Sequence, residues 1–293
     1  MLERSCYNGF MNRLSATQRA KIIGCLVEGN SIRATSRITG AAKNTIVGLL
    51  VRVGQGCAAY QDRTLRNLAC KRIQCDEIWS FCHAKQKNVP QDKQGTFGYG
   101  DVWTWTAIDA ETKLVLSFMI GNRDSETARY FIDNLAGRVA NRIQLTTDGH
   151  SAYLEAVEGS FGSEIDYAML HKLYGASDEG QRRYSPATCI GTRTAVIEGK
   201  PDPEHISTSF IERQNLTMRM GMRRFTRLTN GFSKKVENLT AAVALHFMHY
   251  NFVRPHQTLT KANGGHITTP AMAAGLAARP WTLEEIAALE KSN

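Results

Sequence analysis

The chain has no Cys-x-x-Cys pair, no internal repeat, no low-complexity tract and no apolar run long enough to span a bilayer. Its seven cysteines (Cys6, Cys25, Cys57, Cys70, Cys75, Cys82 and Cys189) are scattered, which argues against a zinc ribbon. An odd count behind an N-terminus without leader character is expected of reduced, mostly buried thiols in a cytoplasmic protein. Negative charge is also short. There are 27 Asp and Glu against 36 Lys and Arg, a net charge of +9. Such an excess bears on association, and nucleic acid is the expected partner. The 293 residues suffice for one large core plus a small accessory domain.

What is present centres on three acidic positions. Glu212 lies in a helical stretch with Arg219 and Arg223 seven and eleven residues on, so the periodicity predicts all three on one face. Ile211, Met218, Met222 and Phe225 make an apolar stripe beside it. Asp76 opens Asp-Glu-Ile-Trp-Ser-Phe, which reads as a strand, and Asp148 closes another that stops at Gly149. Between them, two runs starting at Val102 and Leu114 read as a hairpin. A helix follows, capped by Ser125, with Ala128, Phe131, Ile132 and Leu135 on one face. Three strands, a helix and a fourth strand imply an α/β fold, a mixed sheet with at least one parallel crossover. Sites in such sheets gather at strand ends.

Other acids read differently. Glu77 neighbours Asp76, but strand alternation sends it to the opposite face. Asp109 reads as a hairpin-turn residue, with a metal role as the alternative, and Asp101 and Asp124 as loop and cap residues. Asp166 reads as a surface residue of a fifth strand. Positive charge collects after Glu212, at Arg213, Arg219, Arg223, Arg224, Arg227, Lys234 and Lys235, enough to neutralise several phosphates. Ser233 reads as the cap of a long second helix carrying Val236, Leu239, Val243, Phe247 and Tyr250 inward.

Upstream, residues 17–27 place Ala20, Ile23 and Val27 on one helical face. Ser31 caps a short helix, residues 39–41 form a turn, and a further helix turns Ile46, Leu49, Leu50 and Val53 inward. Two helices joined by a short glycine-containing turn carry the helix-turn-helix signature. On that geometry Lys43, Asn44 and Arg52 face DNA, and Arg33 and Arg37 hold phosphates. The division expected is a helix-turn-helix domain at 1–56, a linker at 57–70 beginning near Gly54-Gln-Gly, a mixed-sheet α/β domain at 71–260 and a helical tail at 261–293.

The order strand-Asp, hairpin, helix, strand-Asp, helix-Glu resembles the ribonuclease H-like core of DDE transposases. Asp76-Glu-Ile-Trp-Ser, Thr147-Asp-Gly, Phe210-Ile-Glu-Arg-Gln-Asn-Leu and Phe232-Ser-Lys-Lys-Val-Glu are similar to the local words of the bacterial insertion-sequence-one family and its longer relatives. The resemblance runs from about residue 15 to about residue 260 and implies Asp76, Asp148 and Glu212 as the catalytic, metal-binding triad. It places Arg219 where such enzymes carry a basic residue. It further implies two Mg²⁺ or Mn²⁺ ions held by oxygen ligands, transposon-end and target DNA as partners, and a homodimer or higher assembly in a bacterial cytoplasm. A nuclease of the same fold that cuts without joining, and a catalytically silent DNA-binding regulator, are the alternatives. Two departures stand out. The cysteine-rich zinc segment of the family's prototype is missing, and positions 175–203, with Arg182, Arg183, Arg193 and Lys200, read as an inserted loop outside the core. Tyr250-Asn-x-x-Arg254-Pro-His reads as a structural cap at the end of the second long helix.

Overall fold

The computed structural model describes residues 14–175, 189–226 and 230–290; Arg182, Arg183 and Arg227 lie outside them. Three helices come first: α1 (Ala16–Val27), α2 (Ile32–Thr39) and α3 (Lys43–Thr64). Ser15 and Gln18 close a capping box on α1, and Ser31 accepts the Ala34 amide to start α2. Ile46, Leu49, Leu50 and Val53 are buried, as their spacing requires.

The expected linker is absent as far as Thr64, because α3 runs straight through it for 22 residues. The glycines that read as a flexible joint serve close packing instead. A Cβ on Gly54 would lie 2.4 Å from the Ala241 carbonyl oxygen, and one on Gly56 1.7 Å from that of Leu289. Gly54→Ala therefore forces two helix backbones apart. It should destabilise the protein by about 1–3 kcal/mol through overpacking, although alanine gains about 1 kcal/mol of helix propensity over glycine. An unchanged urea midpoint would show the backbones to be less tightly apposed.

The sheet has six strands in the order β3-β2-β1-β4-β5-β6. They are β1 (Arg72–Cys82), β2 (Gly100–Asp109), β3 (Val115–Gly121), β4 (Gln144–Asp148), β5 (Asp166–Tyr174) and β6 (Cys189–Glu198). β1, β2 and β3 pair antiparallel, β4 and β5 run parallel to β1, and β6 returns antiparallel to β5. The parallel members need crossovers, and these are α4 (Ser125–Ala136) and α5 (Ala152–Phe161). This is the ribonuclease H-like mixed sheet flanked by helices, with a helical region before it. Three details differ from the sequence reading. β1 begins at Arg72, so Asp76 sits mid-strand. Of the two residues read as caps there, Asp124 and not Ser125 caps α4, accepting the Thr127 amide at 2.9 Å. The segment expected to be an inserted loop contributes β6, an edge strand exposed over nearly its whole length.

Helices cover both faces. On one, Trp105 of β2 packs against Phe131 of α4 and Tyr153 of α5, with ring centroids 5.9 and 5.3 Å apart. On the other lie α6 (Ser209–Gly221) and α7 (Val236–Phe252). α7 is buried on nearly all sides, because the sheet packs beneath it and α3 above it. That is the burial expected of a helix apolar all round. Its Asn251 is fully buried and brackets Val115, accepting from its amide at 3.0 Å and donating to its carbonyl at 2.9 Å. The Tyr-Asn-x-x-Arg-Pro-His phrase thus anchors the edge of β3.

Ser233 does not cap α7, whose N-cap is Lys235; it is buried and accepts from Arg224 Nε at 2.8 Å. After α8 (Gln257–Ala262) and α9 (Pro270–Ala273), the tail returns to the N-terminal helices through α10 (Leu283–Ala288). Glu290 pairs with both Arg19 and Arg52 at 2.6 Å. Cys57, Cys70, Cys75 and Cys82 are free and buried, while Cys189 is exposed. Burial pushes the Cys57 and Cys70 thiols up to about 12.

Candidate active site

Pairing between β1 and β4 ends at Cys75 and Thr147, so the next residue of each strand, Asp76 and Asp148, stand side by side at the sheet's rim. Asp76 faces α6, where Asn215 donates to its Oδ2 at 2.8 Å. Glu77 alternates to the α5 face, as expected, and accepts from the Tyr153 hydroxyl at 3.1 Å and Arg123 Nε at 2.7 Å. Because β4 stops there, no strand separates the two faces, and Glu77 reaches round. Ligand oxygens of Asp76, Glu77 and Asp148 all lie within 4.8 Å of one another. Setting Glu77 aside on strand alternation alone is therefore corrected: the face was right and the inferred separation was not.

Three acids this close repel. Burial, then Asp148 and Glu77, push the Asp76 carboxyl up to about 7. Burial and Asp148 also raise Glu77, opposed by its bonds to Arg123. Arg123 is the counter-charge, lying 3.7 Å from Asp148 as well and stacked over Trp103 at 4.8 Å. The Glu77 side chain is 1% exposed and that of Arg123 41%. Arg123→Ala should therefore cost about 1–3 kcal/mol for an orphaned buried acceptor, toward the lower end because solvent reaches the pair. The loss should shrink in a Glu77→Gln background, and equal losses in both backgrounds would deny the coupling.

Glu212, in the first turn of α6, lines the same cleft of about 480 Å³ as Asp76, Asp148 and Arg123. Gln74 of β1, two residues before Asp76, sets that helix in place: its Oε1 accepts the Phe210 and Ile211 amides at 2.8 and 3.1 Å. One strand thus positions two of the three expected ligands. Glu212 stands apart from the tight group of three, with its carboxylate held by Lys172 of β5 at 2.5 Å and by the Thr208 hydroxyl. The oxygen-rich, anionic donor set suits a hard divalent cation. Asp109 lies elsewhere, holding the hairpin turn through the Thr112 amide at 2.9 Å. Asp166 is paired with Arg142 at 2.8 Å. Sequence reasoning missed Arg123, Lys172, Gln74 and Asn215; only the last two carried a signal, standing two and three residues from an expected ligand.

The cationic residues divide. Arg33, Lys43, Asn44, Arg223, Arg224 and Lys234 line a second cleft between α2–α3 and the end of α6. Arg37, Arg213 and Lys235 are exposed. Arg219 is in the last turn of α6, but Arg223 is not on that helix, which ends at Gly221; it opens a short 3-10 turn. The helical strip joining Glu212, Arg219 and Arg223 is thus broken after Arg219. Arg52 is turned onto Glu290 and leaves the expected DNA face.

The fold and site together define a mixed six-stranded α/β protein with an acidic cluster where β4 ends beside β1. No known protein-family description matches the chain, and no curated protein does. Among solved structures, it is similar to a piggyBac transposase synaptic complex with hairpin DNA (TM-score 0.42, 10% identity, 98% of this chain and 74% of that one). It is also similar to a Mos1 strand transfer complex (0.24, 10%, 85% and 78%) and to a pre-cleavage Mos1 transpososome (0.27, 9%, 100% and 83%). All three are distant, and the site rests on the contacts described above. Among the described residues, no helix is long and apolar enough to cross a membrane.

Proposed function

We propose that this chain is a DDE-type transposase of the insertion-sequence-one kind, cutting the ends of a mobile element and joining them to target DNA. The observation that carries the reading is the meeting of Asp76, Glu77 and Asp148 where β4 ends beside β1, with Glu212 on the wall of the same cleft. Asp76, Asp148 and Glu212 are the proposed ligands, and Glu77 supports them from behind. Mg²⁺ or Mn²⁺ bound there would activate a nucleophilic oxygen and stabilise the leaving oxygen of an in-line displacement. Water attacks a phosphodiester at the element's end and frees a 3′-hydroxyl. That hydroxyl then attacks a target phosphodiester, one P–O bond forming as another breaks.

No side chain of the protein is acylated or phosphorylated in this scheme. Arg123 favours the charged form of Glu77 against its burial, and Lys172 holds Glu212 at the cleft wall. The helix-turn-helix reading of α2 and α3 assigns Arg33, Arg37, Lys43 and Asn44 to DNA. Arg213, Arg219, Arg223, Arg224, Lys234 and Lys235 extend the same cationic surface past the site. Two ends must be held together, so a dimer or higher assembly forms on DNA. The deciding experiment mixes purified protein, Mg²⁺ or Mn²⁺, end DNA and a plasmid target. Joined products support the proposal; nicking without joining replaces it with a nuclease, and binding without cleavage with a regulator.

A further inference from the structure

The second cleft, of about 700 Å³, has a composition that duplex binding does not use. That is the volume of a small-molecule site, typically about 300–1,000 Å³, and not of a double helix. Its rim is cationic, with Arg33 and Lys43 on one side and Arg223 and Lys234 on the other. α3 begins at this rim with Ala42 as N-cap and no capping side chain, so the helix offers open first-turn amides and the positive end of its dipole. Its interior is apolar, including Val47, Leu50 and Leu245. No Asp or Glu lines it among the described residues.

A second observation also points to a ligand. His246 of α7 lines the cleft while only 6% exposed, and its Nε2 has no hydrogen-bond partner. Burial holds the ring at a pKa of about 3, so it is neutral and offers hydrogen bonding without charge. A buried polar atom with no partner is costly. The nitrogen is covered in this conformation, and a turn of the ring that presents it to the cleft would let a ligand with a polar edge satisfy it.

Cationic rim, uncapped helix, apolar interior and one unpaired ring nitrogen together describe a phosphate joined to a planar heterocycle. Building on the DNA-processing reading above, we propose that this cleft receives one unstacked nucleotide of a DNA strand, phosphate at the rim and base against Leu50, Leu245 and His246. The placement suits the chemistry. Gly221, at the cleft, and Glu212, at the acidic site, are nine residues apart on α6, about 14 Å at the helical rise of about 1.5 Å per residue. A strand captured here is anchored a few nucleotides from the acids. Extruding a base costs a few kcal/mol, least where it is already unpaired, so the cleft selects frayed or single-stranded DNA.

The test uses two filling variants on opposite walls at half-buried positions, Val47→Trp on α3 and Asn238→Trp on α7. Binding is read by fluorescence anisotropy in EDTA, which separates it from cleavage. The probes are an oligodeoxythymidylate of about 20 nucleotides and a fully paired duplex of the same length. Each variant that keeps its circular-dichroism melting profile should lose about tenfold affinity for the single strand and bind the duplex within about twofold. Equal weakening on both probes, or no change on either, overturns the proposal. So does inorganic phosphate competing as well as thymidine monophosphate, which would show an anion site with no place for a base. A chain that never joins DNA can still pass this test, and one that joins DNA can still fail it.

Discussion

Asp148→Asn should abolish metal-dependent cleavage and joining while leaving DNA binding within about twofold of the wild-type affinity. The loss expected is at least about 100-fold, the cost of removing even an outer partner of a metal ligand. The substitution keeps the local frame, because Asn retains the oxygen that accepts the His150 amide at 3.1 Å. It removes one of the negative charges that raise Asp76, so the metal-free variant should melt no lower than the wild type and above it near neutral pH. Loss of DNA binding together with activity, or a lower melting temperature in EDTA, would make Asp148 a structural residue and end its role as a ligand.

Divalent cation should stabilise the wild-type chain, and more so as pH rises. The Asp76 carboxyl sits at about 7 instead of 3.8, so the folded chain favours its protonated form. The stability this group contributes is full below about pH 4 and is lost as pH climbs through about 7, where it must ionise beside Asp148 and Glu77. A cation competes with that proton and removes the repulsion. At a concentration about 100-fold above its Kd, Mg²⁺ or Mn²⁺ adds about 2.7 kcal/mol, and each kcal/mol is worth roughly 2–4 °C in a large domain. Melting with and without EDTA should therefore differ by about 5 °C or more near pH 8 and by less near pH 6. A cation effect that is absent, or larger at the acid end, would show that these carboxylates do not bind the metal.

Much of the sheet and its flanking helices was legible because period-two and period-3.6 patterns are local. The hairpin, the helix after it, the strand ending at Asp148 and the inward faces of α3 and α4 all follow from side chains within a few residues of one another. The sixth strand was not legible, since an exposed edge strand carries no apolar alternation. Gly54 and Gly56 misread as a joint because glycine serves flexibility and close packing equally well, and only the partner backbone at Ala241 and Leu289 distinguishes them. Arg52 kept its helical position and changed its partner, since Glu290 lies 238 residues away.

The candidate site divides in the same way. Composition and local pattern by themselves determined a basic chain with carboxylates on two strands and a helix, because charge and periodicity are read one segment at a time. Tertiary structure alone decided which acids meet. Glu77 joins Asp76 and Asp148 because β4 ends where β1 continues, opening a path round the sheet's rim. Glu212 is held back by Lys172, a residue of another strand. Those outcomes depend on where neighbouring strands stop, and strand length across a sheet is settled by pairing between distant segments.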